Sequence, residues 1–272
     1  MATPYLSELL GIMSHYGSLI LRTLVIAYLG GIVFAYFFAD SLMFPYEREG
    51  TSAGPDAFHL KSARGDSIEV LHLPAENADT LLFYHHGNGE DLSMIRPLLE
   101  AFQKRGIAVL AYDYPGYGNS SGEAGVPAVH AAADATYRHA TEELNFDPGQ
   151  IILYGSSLGS GPASRLAARH PVGGLVLHSA FTSAFRVMTR IRLLPWDKFN
   201  NLARLPEIEC PVLVIHGTED KTVPFSHARK LWKNIRGEKR KLWIDGAGHN
   251  DLIPIAGEKY WDSVLRFIRK FS

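Results

Sequence analysis

Beyond residue 57 the chain alternates short apolar runs with stretches in which apolar residues recur every three or four positions. Thr80–His85, Ile107–Tyr112, Ile151–Tyr154, Gly174–Ser179, Pro211–His216 and Lys241–Ile244 are unbroken enough to read as strands buried on both faces. Phe58–Ser62 and Ser67–Leu73 flank Arg64-Gly65-Asp66 and read as a hairpin. Between the runs, the segment from Asp91 to Arg105 puts Leu92, Ile95, Leu98, Leu99 and Phe102 on one helical face. An alanine-rich helix over about 127–144, a small-residue helix from Ser160 to His170 and an amphipathic helix from Glu258 to Phe271 complete the pattern. Strands alternating with helices require right-handed crossovers, hence an α/β class with a mostly parallel sheet, helices on both faces and the hairpin as an antiparallel edge.

The first forty residues follow a different pattern. No charge interrupts Thr23–Ala39 between Arg22 and Asp40, and with Ser18–Leu21 the apolar stretch reaches the length of a bilayer-spanning helix, about 20 residues. Tyr28, Tyr36 and the phenylalanines suit the interfaces. A cleaved signal peptide fits less well, because the run is long and no small-x-small cleavage site follows it. The expected organisation is an anchor over 1–40 (helix about 19–39), a turn-rich linker over 41–57 and a catalytic domain over 58–272. Basic residues on both sides of the anchor leave its orientation open.

Composition narrows the partners. With 46% hydrophobic residues, 20% charged residues and a net charge of −1, neither sign of charge dominates and no nucleic-acid surface is expected. The single cysteine, Cys210, precedes an apolar strand and reads as a buried thiol. No H-E-x-x-H pattern or cysteine pair suggests a metal site, and no cofactor is expected.

The candidate chemistry sits at the strand ends. Ile151–Tyr154 runs straight into Gly155-Ser156-Ser157-Leu158-Gly159, a G-x-S-x-G sequence in strand–turn–helix context, which is what a nucleophile elbow needs. Among 25 glycines that match alone is weak. Two further strand ends strengthen it: His216-Gly217-Thr218-Glu219-Asp220 offers Asp220, and Asp245-Gly246-Ala247-Gly248-His249 offers His249. A serine hydroxyl needs an imidazole to take its proton, and the imidazole needs a carboxylate to hold its tautomer. Taken singly, Asp220 reads as a turn cap and His249 as an exposed loop histidine; Glu219, Asp245 and Asp251 are competing carboxylates. Together, the order Ser157, Asp220, His249 is that of an α/β-hydrolase sheet.

An oxyanion hole calls for two backbone N–H groups: Leu158, following the nucleophile, and Asn88 in the Gly87-Asn88-Gly89 loop. His85, His86 and His178 are expected to shape the structure rather than react. The pattern breaks between Ser183 and Pro206, where a short cap is expected at about 183–206. Tyr117 in the Asp113–Gly118 loop and Met188 and Trp196 in the cap are the candidate substrate contacts. Arg186, Arg190 and Arg192 interleave with apolar cap residues, as on a surface that touches an anionic bilayer or holds an acyl chain, or on an ordinary solvated helix.

With these motifs placed, residues 58–270 resemble the α/β-hydrolase superfamily, and more narrowly its membrane-associated serine hydrolase branch that includes protein depalmitoylases. The resemblance implies Ser157 as nucleophile with Asp220 and His249, an acyl-enzyme route without cofactor, and an ester or thioester substrate, lipid or acylated. Monoacylglycerol lipases, carboxylesterases and some peptidases share the pattern, so a serine peptidase and a noncatalytic hydrolase-fold binding protein stay open as alternatives. Ser157 at the elbow argues against haloalkane and epoxide hydrolases, which would carry Asp there.

Overall fold

The computed structural model of the chain describes residues 4–44, 52–190 and 192–271. It divides into two compact units, Met1–Met43 and Phe44–Ser272.

The first unit is one helix, α1 (Pro4–Met43). It is longer at both ends than the expected anchor helix, and it takes in the first residues assigned to the linker; residues 45–51 of that linker lie outside the described residues. Glu8–Met43 is long and apolar enough to cross a membrane, with a mean hydropathy of 2.0 over its best window. At 1.5 Å per residue, 40 residues extend roughly 60 Å, about twice a bilayer's hydrocarbon core. Leu24, Ile26, Phe34 and Phe37 are all exposed in the chain taken alone.

The second unit opens with the hairpin β1 (Ala57–Lys61) and β2 (Ser67–Leu73). Then follow β3 (Leu81–His85), α2 (Leu92–Gln103), β4 (Ala108–Tyr112), α3 (Val126–Glu142), β5 (Ile151–Ser156) and α4 (Ser160–Ala167). The chain continues through β6 (Gly174–His178), α5 (Ala184–Thr189), α6 (Asn201–Arg204), β7 (Val212–Gly217) and α7 (Ser226–Asn234). It closes with β8 (Lys239–Ile244), α8 (Leu252–Ala256) and α9 (Glu258–Lys270). The sheet order is β1-β2-β4-β3-β5-β6-β7-β8. β1, β2 and β4 pair antiparallel and every later pair is parallel, so the hairpin forms the expected antiparallel edge.

The apolar runs become the central strands because both sheet faces are covered. Leu82, Tyr84, Ile152, Tyr154, Val176 and Ile215 face Leu92, Ile95, Leu99 and Phe102 of α2 and Tyr260, Val264 and Phe267 of α9. Helices α3, α4 and α7 contact the strands as well. Asp91 starts α2 by accepting the Met94 N–H at 2.9 Å, which satisfies one of the donors a helix start leaves over. The carboxyl ends of β3, β5, β6, β7 and β8 thereby come together along one edge of the sheet.

Candidate active site

The elbow is built by omission of side chains. Ser157 adopts φ +48°, in the left-handed region that costs a non-glycine residue roughly 1–2 kcal/mol. The turn is also crowded: a Cβ on Gly155 would lie 2.6 Å from Ser160 Cα, and one on Gly159 would run into the His85 carbonyl oxygen. A 3₁₀ turn over Ser157–Gly159 leads directly into α4. Ser160 Oγ donates to the Ser157 carbonyl at 2.6 Å and accepts from Asn201 Nδ2 at 2.9 Å, so α6 braces the first turn.

Ser157, His249 and Asp220 fall on one line. His249 Nδ1 lies 2.7 Å from Asp220 Oδ2, and His249 Nε2 lies 3.0 Å from Ser157 Oγ. A carboxylate only accepts, so Nδ1 carries the proton and Nε2 is left to accept the serine hydroxyl's. Glu219, Asp245 and Asp251 make no such contact with His249; Asp251 instead accepts the Gly248 N–H at 2.6 Å.

Asp220 is held from all sides. Its Oδ1 accepts the Thr222 and Val223 N–H groups at 2.9 and 2.8 Å. A second histidine, His216, brings Nε2 to 3.2 Å of Oδ2 while donating to the Val223 carbonyl at 2.8 Å. Burial alone would raise the Asp220 pKa, but the hydrogen bonds from His216, His249 and Val223 outweigh it and hold the carboxyl below the usual range.

Ser157 and His249 open into a cavity of about 350 Å³. Its lining is partly apolar, from Tyr84, Met94, Ile95, Leu98, Leu252 and Ile253, and partly polar, from Gly87, Asn88, Glu90, Ser156, His178 and Ser179. Asn88 therefore shares the cavity with the nucleophile. The 87–89 backbone comes close to it, since a Cβ on Gly87 would lie 3.7 Å from Ser157 Cβ. Leu158 is buried at the start of the 3₁₀ turn, where the first N–H groups have no partner inside the helix. Glu90, which the sequence reading passed over, accepts the Gly87 N–H at 2.6 Å; burial raises its pKa.

The expected substrate contacts are not brought to this cavity. Tyr117 is fully buried, and its hydroxyl donates to Asn88 Oδ1 at 2.6 Å, so it braces the loop from behind. Met188 is 85% exposed on α5, and Trp196 lines a separate, much smaller crevice with Phe185 and Leu193. No described residue of 183–206 lines the Ser157 cavity; its described walls come from α2, α8 and the strand ends rather than from the expected cap. His85 and His86 are buried and neutral, with pKa values pushed down by burial to about 3 and about 4. They bond Tyr112 (3.0 Å) and the Gly87 carbonyl (2.8 Å), as loop-shaping residues should.

A nearly parallel sheet with a serine elbow and a Ser–His–Asp line at its carboxyl edge defines a serine hydrolase of the α/β-hydrolase class. The comparisons agree. A family model described as serine aminopeptidase, S33, matches residues 76–202. Alpha/beta hydrolase domain-containing protein 17B of Xenopus tropicalis is 34% identical over 217 residues, 78% of this chain and 75% of that protein. The human protein of the same name is 33% identical over the same shares. Among solved structures, an esterase of Pyrococcus furiosus superposes with a TM-score of 0.69 at 18% identity, covering 79% of this chain and 89% of that one. An esterase of Exiguobacterium antarcticum gives 0.62 at 16%, covering 78% and 98%. At such identities the likeness shows the fold. The chain belongs to the alpha/beta hydrolase domain-containing protein 17 family.

Proposed function

We propose that the chain is a membrane-anchored acyl hydrolase that cleaves carboxylic esters or thioesters of lipid or acylated substrates, with Ser157 as its nucleophile. The single observation that carries this reading is the Asp220–His249–Ser157 line, at 2.7 and 3.0 Å, opening into a cavity lined in part by apolar side chains. Ser157 Oγ attacks the carbonyl carbon while His249 Nε2 takes its proton. The Leu158 and Asn88 N–H groups receive the oxyanion. His249 returns the proton to the departing alkoxide or thiolate, which leaves as alcohol or thiol. Water, deprotonated by the same imidazole, then hydrolyses the acyl-serine to free acid. The acyl chain lies along Met94, Ile95, Leu98, Leu252 and Ile253.

An acyl-length series tests it. A cavity of about 350 Å³ is at the small end for ligand sites, which run about 300–1,000 Å³. kcat/KM is expected to rise from the acetyl ester by up to about fourfold per methylene, from about 0.8 kcal/mol of burial each, and to level off once the cavity is filled. No turnover at any length, with turnover of aminoacyl amides instead, moves the assignment to a peptidase. No turnover of either leaves a noncatalytic binding protein.

The anchor has its own test. The full chain is expected to stay in the membrane pellet after alkaline carbonate and to leave it with detergent. The double substitution Ile26→Asp and Val33→Asp costs about 2.5–3.5 kcal/mol per residue at a helix centre and is expected to shift the chain to the soluble fraction. Retention of the double variant would mean that α1 does not span.

A further inference from the structure

Glu90 is the one carboxylate among the described residues that line the Ser157 cavity, and the triad makes no use of it. Its Oε2 accepts the Gly87 N–H at 2.6 Å, while Oε1 makes no hydrogen bond among the described residues. The bond lies beside the nucleophile. A Cβ placed on Gly87 would stand 2.8 Å from Glu90 Oε2 and 3.7 Å from Ser157 Cβ, so the carboxyl and the serine flank the same point.

What that bond holds follows from peptide geometry. A peptide unit is planar, with its C=O and N–H pointing opposite ways. The unit joining His86 to Gly87 is pinned at both ends: the Tyr114 hydroxyl donates to the His86 carbonyl at 2.6 Å, and Glu90 takes the Gly87 N–H. The next unit, Gly87 to Asn88, is held at its carbonyl by His86 Nδ1–H at 2.8 Å, which turns the Asn88 N–H away from that ring. Between the two planes stands Gly87, with no Cβ to restrict its dihedrals, and Gly89 follows at φ +75°. Without the Glu90 carboxyl, the first plane is fixed at its carbonyl alone. It can then tilt about that contact and carry the Asn88 N–H with it.

We infer that Glu90 is a positioning residue for acyl transfer: by accepting the Gly87 N–H it orients the 87–89 loop so that the Asn88 N–H meets the oxyanion formed at Ser157. This deepens the acyl-hydrolase reading and rests on it. The role requires an acceptor at the right reach and no charge, because a single oxygen of Glu90 carries the contact. An amide oxygen at the same reach serves equally; a carboxyl drawn back by one methylene does not. Misplacing a group in an active site by about 1 Å costs up to about 10²-fold, and losing an oxyanion donor outright costs about 10²–10³.

Two conservative variants separate reach from charge, in the full-length, detergent-solubilised protein acting on p-nitrophenyl octanoate. Glu90→Gln keeps the reach without the charge, and Glu90→Asp keeps the charge without the reach. The kcat of Glu90→Asp is expected to fall at least about tenfold below wild type with KM little changed, and Glu90→Gln to exceed it by at least about tenfold. Octyl trifluoromethyl ketone gives a readout that general damage would not move. Ser157 adds to its carbonyl and leaves an oxyanion in the hole, so its Ki should rise by the factor by which kcat/KM falls. Should Glu90→Asp fail to fold, Tyr114→Phe takes its place: it frees the other end of the same peptide unit, keeps the ring, and is expected to lower kcat with the same signature. Equal kcat in the Asp and Gln variants, or a Gln variant poorer than the Asp one, overturns the inference and leaves the acyl-hydrolase reading standing. A Ki that stays put while kcat falls overturns it as well. No turnover of any acyl ester by the wild type overturns the acyl-hydrolase reading first, and this inference with it.

Discussion

Ser157→Ala is expected to lower kcat by about 10⁴–10⁶-fold on any ester the wild type hydrolyses, without loss of the fold. Removing a triad nucleophile leaves only binding and oxyanion stabilisation, and in the comparable subtilisin case costs about 10⁶. Structural damage is not the cause to expect here. The side chain makes one described hydrogen bond, to His249, and the tight glycine contacts of the elbow are unchanged. A companion variant separates function from stability. Ser157→Gly is equally inactive, but glycine tolerates φ +48° without the penalty serine bears. It should therefore be more stable than Ser157→Ala by about 1 kcal/mol, or roughly 2–4 °C in Tm. That pairing, inactive yet stabilised, is what strain held for catalysis predicts. A Ser157→Ala protein that keeps a tenth or more of wild-type activity would move the nucleophile elsewhere.

How much of this was legible in the sequence depends on the range of the forces involved. The central strands announce themselves because burial on both faces leaves unbroken apolar runs, as at Leu81–His85 and Val212–Gly217. The elbow is legible because its glycines fall at fixed spacing around the serine, Gly155 against Ser160 of the same turn and Gly159 against His85 of β3. Helix α7 carries a weak signal, because its buried stripe is only His227, Ala228 and Leu231 within a charged stretch. β8 likewise starts earlier than its apolar residues suggest. Lys239 and Lys241 lie over the Trp232 ring, at 4.8 and 4.6 Å, so two charged residues at the start of the strand serve as packing.

Within the site, order along the chain was enough to bring out Ser157, Asp220 and His249, because each follows a recognisable strand. Residues acting through register were not visible. That His178 belongs to the cavity depends on its pairing with Ser156 across two strands. Glu90 reaches Gly87 only because the loop turns back on itself. Tyr117 fits an aromatic wall by composition, but its hydroxyl finds Asn88 and it turns inward. Met188 and Trp196 follow as candidates only from the expectation that the irregular stretch covers the pocket. The structure walls the pocket with α2 and α8 instead.

Asp220→Asn carries the second large effect and tests the tautomer argument. The amide keeps an acceptor for the Thr222 and Val223 N–H groups, so the loop can persist. It loses the charge that holds Nδ1–H on His249, and with the wrong tautomer Nε2 no longer accepts the serine proton. The same change in a serine protease costs about 10⁴ in kcat, and a loss of that order is expected here, with KM little changed. Stability should respond to pH in a defined direction. The Asp220 pKa is depressed in the folded state, where the hydrogen bonds from His216, His249 and Val223 overcome the effect of burial. Its contribution is thus fully present above the unfolded value, about 3.9, and fades as pH falls below it. The wild type should melt above Asp220→Asn at pH 7, and the gap should narrow from about pH 4 downward. His216 sharpens the test, because its Nε2 also approaches Oδ2, at 3.2 Å. If the charge on Asp220 were needed only to orient His249, removing His216 would leave the gap in Tm unchanged. If His216 also stabilises that charge, His216→Asn should shrink the gap while costing far less activity than Asp220→Asn. A Tm gap that widens in acid would contradict the depressed pKa, and with it the account of how Asp220 is held.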